Sequence, residues 1–195
     1  EKVGDAVHSI RDLGIMAYNL GDEVTIDRNC SDACFCPACE LSFREYARDV
    51  YKSLEALNAS WGTHFKNWDG VTGITLQEAK ANGQYVRWAH HRRHMEIGYS
   101  QWIGKLVDHF KSADPNAKVG VEGISFINSF TGFDIPYLFG KFKMVGPYDG
   151  ASMIRLGVQF TDRNTRRGTF YGTYGACKTD AQRDRFRSIN WDILA

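Results

Sequence analysis

The sequence predicts an α/β fold built on a parallel sheet, because short apolar runs alternate along the chain with segments of helical spacing. Each apolar run also empties into acidic, aromatic or glycine residues, the strand end at which parallel α/β folds place their chemistry. No Gly-x-Gly-x-x-Gly turn or phosphate loop follows any run, which argues against a nucleotide fold. Four βα units make half of an eight-stranded (β/α)8 TIM barrel; an open four-stranded sheet is the alternative.

The elements follow in order. Residues 8–13 read as the end of a helix, and residues 14–20 as a buried strand emptying into Gly21-Asp22-Glu23. Between 41 and 57 the apolar positions Phe43, Tyr46, Ala47, Val50, Leu54 and Leu57 have helical spacing, in two short pieces. Turn-forming residues make 67–73 a loop. The longest helix is expected over 84–111, with Met95, Tyr99, Trp102, Ile103, Leu106, Val107 and Phe110 as its apolar stripe and Asp114-Pro115-Asn116 as its stop. A second strand over 118–123 closes on Glu122, and a short helix follows at 136–139. A third strand spans 142–150, with Tyr148 and Asp149 at its polar end. A helix at 152–160, a strand at 169–175 and a helix at 181–194 complete the alternation.

Composition bounds the function. The 195 residues suffice for one sizeable domain, and 43% apolar content is ordinary for a globular chain. A net charge of +1 gives no electrostatic case for nucleic acid or a membrane surface. No run of about 18 apolar residues exists to span a bilayer. Aromatic residues make up 13%, which suits sugar or peptide recognition and equally a plain core.

Four of the five cysteines crowd into ten positions: Cys30, Cys34, Cys36 and Cys39. Four thiolates at this spacing can surround one zinc ion tetrahedrally, leaving no open position, so the zinc is expected to be structural. Two disulfides are the alternative, but dense cysteines within one loop of a large domain favour metal. Zinc in turn leans toward a reducing compartment.

Glu23 gains weight from its context. Asp22-Glu23, the Cys34-Phe35-Cys36-Pro37-Ala38-Cys39 loop, Phe43-Arg44-Glu45-Tyr46, and the stretch from Ser53-Leu54-Glu55-Ala56-Leu57-Asn58 through Trp61-Gly62-Thr63-His64-Phe65 occur in the order seen in glycoside hydrolase family 42. The string resembles that β-galactosidase family closely from about Tyr18 to Phe65. The remainder matches in its rhythm of strands and helices. The resemblance implies a TIM barrel, of which the whole chain, 1–195, covers about strands four to seven, with a zinc loop at 30–39. It also implies a retaining glycosidase acting on a carbohydrate, with Glu23 as acid/base. A retaining site needs a second carboxyl about 5–5.5 Å away.

Two departures stand out. The family's asparagine is Asp22 here, which can accept but not donate a hydrogen bond when ionised. The nucleophile belongs at the end of strand seven, yet 169–175 contains no carboxylate. Three readings are open: Glu122 or Asp149 attacks instead, the nucleophile lies beyond Ala195, or the barrel binds sugar without cleaving it. Asp22, Glu122, Asp149, Tyr148 and Trp68 are the expected substrate-lining residues. His90, His91 and His94, interleaved with Arg92 and Arg93, read as a solvated helix face. A half barrel leaves strand edges unpaired. The expectation is therefore that the rest of a longer chain, or a second copy, completes it.

Overall fold

The computed structural model describes residues 2–27, 29, 31–124, 128–148, 151–168, 178–184 and 187. Its elements run α1 (Lys2–Ile10), β1 (Tyr18–Asp22), α2 (Pro37–Tyr51), α3 (Leu54–Trp61), α4 (Leu76–Asn82) and α5 (Tyr85–Ala113). They continue with β2 (Val119–Ile124), α6 (Ile135–Lys141), β3 (Met144–Pro147), α7 (Ala151–Phe160) and β4 (Arg166–Arg167). The chain divides into two compact units. One comprises Glu1–Val24, Ser100–Ile127 and Asp134–Ala195; the other comprises Thr25–Tyr99 and Asn128–Phe133.

The first unit carries the sheet. Its order is β1-β2-β3-β4 and every neighbouring pair is parallel. Sequential strands lying side by side in parallel, with helices between them, are the expected α/β arrangement. The central strand β2 buries Val119 and Val121 completely, as a strand covered on both faces must. Ile103 and Val107 of α5, Leu138 and Phe139 of α6, and Phe142 are the other large core residues. The predicted stripe on the long helix is therefore sound at its centre, but Trp102 is 54% exposed. One residue away from Ile103 is about 100° around a helix, too far to share its face.

The first strand starts later than expected. Leu13 and Met16 are 75% and 73% exposed, and pairing begins at Tyr18 opposite Val119. Gly14, at φ 75°, ends the short 3-10 turn Arg11–Leu13 in a left-handed conformation, so the chain is still turning where the apolar run begins. Tyr18 is then fixed by its ring against Phe110, centroids 5.4 Å apart, and by donating its hydroxyl to Asp114 at 3.3 Å. The predicted strand 169–175 lies outside the described residues, as does most of the helix expected at 181–194.

The second unit is helical. Phe43 and Ala47 of α2, Leu57 and Trp61 of α3, and Val71 form its core, with Phe43 stacked on Trp61 at 5.9 Å. The two predicted helical pieces join at Lys52 and Ser53. Lys52 closes α2 at φ 61°, and the Ser53 side chain accepts from the Ala56 N–H to cap α3. Helix α4 is an element that apolar periodicity does not predict, although Thr75 and Glu78 form a reciprocal capping box at its start.

The histidine segment is not a solvated face. His91 and Arg92 are 1% and 4% exposed, and His90 and His94 are half-buried. Phe43 meets His91 edge-on at 5.3 Å, and Tyr46 and Tyr51 place their hydroxyls 3.1 and 2.7 Å from His90. Gly73 has no side chain because a Cβ there would sit 2.7 Å from the His91 ring. Charge interleaving marks exposed positions only where no aromatic layer from α2 and α3 covers them.

His94 makes this layer sensitive to acid. Its Nε2 lies 2.6 Å from Ser42 Oγ, while Nδ1 is buried with no hydrogen-bond partner among the described residues. Protonation would bury an N–H without an acceptor. Burial, with nearby His91, pushes the His94 pKa down to about 4 from the ordinary 6.5. Between these values the unfolded chain binds the proton and the folded one does not. This stability is therefore full above pH 6.5 and is lost as pH falls toward 4, by up to about 3 kcal/mol. Urea unfolding followed between pH 7.5 and 4.5 should show that decline, and H94Q should flatten it.

Candidate active site

Strand β1 does not end as a regular strand. Its register against β2 is irregular between Asn19 and Asp22, the mark of a bulge, and Glu23 takes a left-handed conformation at φ 51°. For a residue other than glycine that conformation costs about 1–3 kcal/mol and is characteristic of functional positions. The strand end is held by β2. Asp22 lies opposite Glu122, and the Glu23 N–H donates to the Glu122 carbonyl at 3.3 Å.

The consequence is chemical. Successive side chains of a regular strand point to opposite faces. Here the bulge and the turned Glu23 bring two consecutive carboxylates to one group. The Tyr148 hydroxyl, just beyond β3, lies 2.9 Å from Asp22 Oδ1 and 2.9 Å from Glu23 Oε1. Desolvation, then the hydrogen bonds to Asp22 and Glu23, raise the Tyr148 pKa above its ordinary value, so the phenol keeps its proton. Gly123, at φ 71°, makes the approach possible: a Cβ there would lie 1.9 Å from Asp22 Oδ1 and 2.7 Å from the Glu23 nitrogen.

Glu122 is on β2 and helps to line a cavity of about 450 Å³ with Met16, Ala17, Met144, Gly146 and Arg166. Asp149 lies outside the described residues. Trp68 belongs to the other unit, where it packs against the helical core and carries the Arg48 guanidinium 5.4 Å above its ring. The structure thus brings the expected acid/base, Glu23, together with Asp22 and Tyr148 of the expected sugar-lining residues, and pairs the backbone of Glu122 with that of Asp22.

The cysteine loop is in the second unit. The sulfurs of Cys34, Cys36 and Cys39 all lie within 4.8 Å of one another, and Cys30 lies outside the described residues. Zinc–sulfur bonds of about 2.3 Å place tetrahedral sulfurs roughly 3.8 Å apart, so the three thiols fit one ion. Backbone N–H donation from Cys39, at the start of α2, lowers the Cys36 pKa. Burial, with the two neighbouring thiols, pushes Cys39 up to about 12. A bound cation would reverse that balance by favouring thiolate.

The surrounding contacts were invisible in the sequence. Asp32 accepts from the Leu76 N–H at 2.8 Å and from the Trp88 indole at 2.7 Å. Glu40 accepts from the Gly73 N–H at 3.0 Å, and Arg92 donates to the Ala33 carbonyl at 3.0 Å. These partners are more than thirty positions apart, beyond any local pattern. For Gly123 a signal existed: a glycine directly after the strand-end residues Glu122 and Val121.

Acidic side chains gathered at the C-terminal ends of a parallel sheet occupy the place where such folds carry their chemistry. The family model described as beta-galactosidase, glycoside hydrolase family 42, matches residues 10–144, and the chain belongs to that family. It is 23% identical over 127 residues to the beta-galactosidase BglY of Alicyclobacillus acidocaldarius, a match covering 62% of this chain and 17% of that protein. Against the beta-galactosidase BgaB of a Geobacillus species it is 37% identical over 43 residues, covering 20% of this chain and 6% of that protein. Among solved structures, the beta-galactosidase from Bacillus circulans sp. alkalophilus aligns with a TM-score of 0.60 and 17% identity over 78% of this chain and 24% of its own. The beta-galactosidase from Rahnella sp. R3 aligns with a TM-score of 0.57 and 18% identity over 76% and 22%. The chain therefore shares their fold and spans about a quarter or less of their length.

Proposed function

We propose that the protein hydrolyses a β-linked glycosidic bond in a carbohydrate, a β-galactoside by analogy with its relatives, with Glu23 as the acid/base of a retaining mechanism. The observation that carries this reading is the placement of Glu23: a strained residue at the end of a parallel strand, hydrogen-bonded to Tyr148 and flanked by Asp22. In such a mechanism Glu23 protonates the leaving oxygen, then takes a proton from the incoming water. Glu122 is the candidate nucleophile among the described carboxylates, and Asp149, next to Tyr148 in sequence, is the other candidate. The four strands correspond in this reading to strands four to seven of the barrel. The remainder of a barrel, or a second copy, pairs the edges that β1 and β4 leave open among the described residues.

A second reading is a barrel that binds sugar without cleaving it, favoured by the missing carboxylate in 169–175. The two separate on one variant. E23Q should lower kcat/KM on an aryl β-galactoside at least about 100-fold while galactose binding measured by calorimetry persists. Wild-type protein that binds galactose and shows no hydrolysis favours the second reading, and unchanged hydrolysis in E23Q removes Glu23 from the chemistry.

We further propose that the cysteine loop holds a structural zinc ion on Cys34, Cys36 and Cys39, with Cys30 as the fourth ligand. The proximity of the three described sulfurs supports it. Zinc would tie the loop to the start of α2 and take no part in bond cleavage. Metal analysis of protein purified without chelator should give about one zinc per chain. C36S should lower that content and the resistance of the second unit to proteolysis. Metal-free protein with unchanged stability contradicts the proposal.

A further inference from the structure

We propose that Arg92 is a positioning residue that couples the cysteine loop to the loop after β2, so that a change at the cysteines is felt by the chain that leaves β2. The residues concerned all belong to the second unit. Arg92 projects from α5 and is 4% exposed. Its Nη1 donates to the Ala33 carbonyl at 3.0 Å, and its Nε donates to the Ser129 carbonyl at 2.8 Å. Ala33 directly precedes Cys34, and Ser129 lies between β2 and α6. The same guanidinium stands 5.0 Å from the centre of the Phe130 ring. Two carbonyls far apart in sequence thus meet on one planar group, whose rigid fork fixes both directions at once.

The joint is reinforced around Arg92. The Ile26 N–H donates to the Thr131 carbonyl at 3.0 Å. Asp32 accepts from the Trp88 indole at 2.7 Å, and the Trp88 ring lies 5.9 Å from that of Phe130. At Gly132, with φ 80°, a Cβ would stand 3.0 Å from Ile26 and 3.1 Å from Tyr99, so only a bare backbone fits there. A buried cation is a costly way to fill space, and an apolar side chain would pack at less cost. Asp32, Asp27 and Glu96 supply opposing charge, yet Nη2 stays buried without a hydrogen-bond partner among the described residues. What the guanidinium adds over an apolar residue is the join itself. Ile26 and Ala33 lie in the segment that leaves β1 after Glu23, and residues 128–133 follow β2, which carries Glu122. Connections of this kind carry the chemistry of parallel α/β folds. The coupling requires neither a role for Glu23 nor a bound metal.

The test is a double-mutant cycle of R92Q and F130A in the full chain as purified. Its readout is the rate at which N-ethylmaleimide labels Cys36 and Cys39, followed peptide by peptide by mass spectrometry. F130A alters only the loop after β2, yet it should speed labelling of both cysteines at least about threefold, the lower end of coupling between residues in contact. In R92Q the same substitution should add little, because the join is already broken. An unmoved rate in F130A overturns the proposal. An equal factor with and without Arg92 also overturns it, since the effect then bypasses the guanidinium. Coupling is reciprocal. C36S, with Arg92 in place, should therefore speed amide hydrogen exchange in the peptide covering 128–133. Unchanged exchange there overturns the proposal even where R92Q does not fold. Neither readout depends on turnover or on metal content, so failure of the coupling is distinguishable from failure of the acid/base or zinc reading.

Discussion

The hydrogen bond from the Glu23 N–H to the Glu122 carbonyl, set in an irregular parallel register, is the constraint on which the site depends. It holds the end of β1 against β2 after the bulge has turned the strand. Without that anchor Glu23 would relax from its left-handed conformation, and Asp22 and Glu23 would return to opposite faces. With it, two neighbouring carboxylates converge on Tyr148 from the next strand. The parallel sheet thus supplies three consecutive strand ends, and each contributes one part of the site.

The second unit shows a different economy. Its helices enclose aromatic rings and imidazoles rather than aliphatic side chains alone, and its loop carries the cysteines. Tyr46 and Tyr51 meet both ring nitrogens of His90, while Ser42 meets Nε2 of His94 and the Cys34 carbonyl meets Nε2 of His91, leaving the Nδ1 atoms of His91 and His94 buried without a partner among the described residues. Asp32, Glu40 and Arg92 tie the cysteine loop to distant backbone groups, so protein contacts contribute to the shape of that loop and a metal would add to them.

The sequence made the alternation of strands and helices legible, because apolar runs and helical stripes are local signals. The long helix, the breaks at 52–53 and 114–116, and the strand at 119–124 all follow from such signals. The start of β1 did not, since the apolar character of Ile15 and Met16 says nothing about when pairing begins. The histidines misled for a related reason: Arg92 and Arg93 suggest solvent, while the aromatic cover comes from residues about forty positions earlier. In the site, Glu23 and Tyr148 were recognisable as strand-end residues. Their meeting was not, because it depends on the bulge, on the conformation of Glu23 and on the lack of a side chain at Gly123, whose Cβ position the Asp22 carboxylate occupies.

The central claim is that Glu23 delivers the proton to the departing oxygen, and its most direct test is the leaving-group dependence of E23A. Rates should be compared between E23A and the unaltered protein across aryl β-galactosides of increasing phenol basicity. An acid is needed only when the departing oxygen is basic. The account predicts that E23A loses little rate on the most acidic phenol and progressively more as basicity rises. A loss of equal size across the whole series would contradict it.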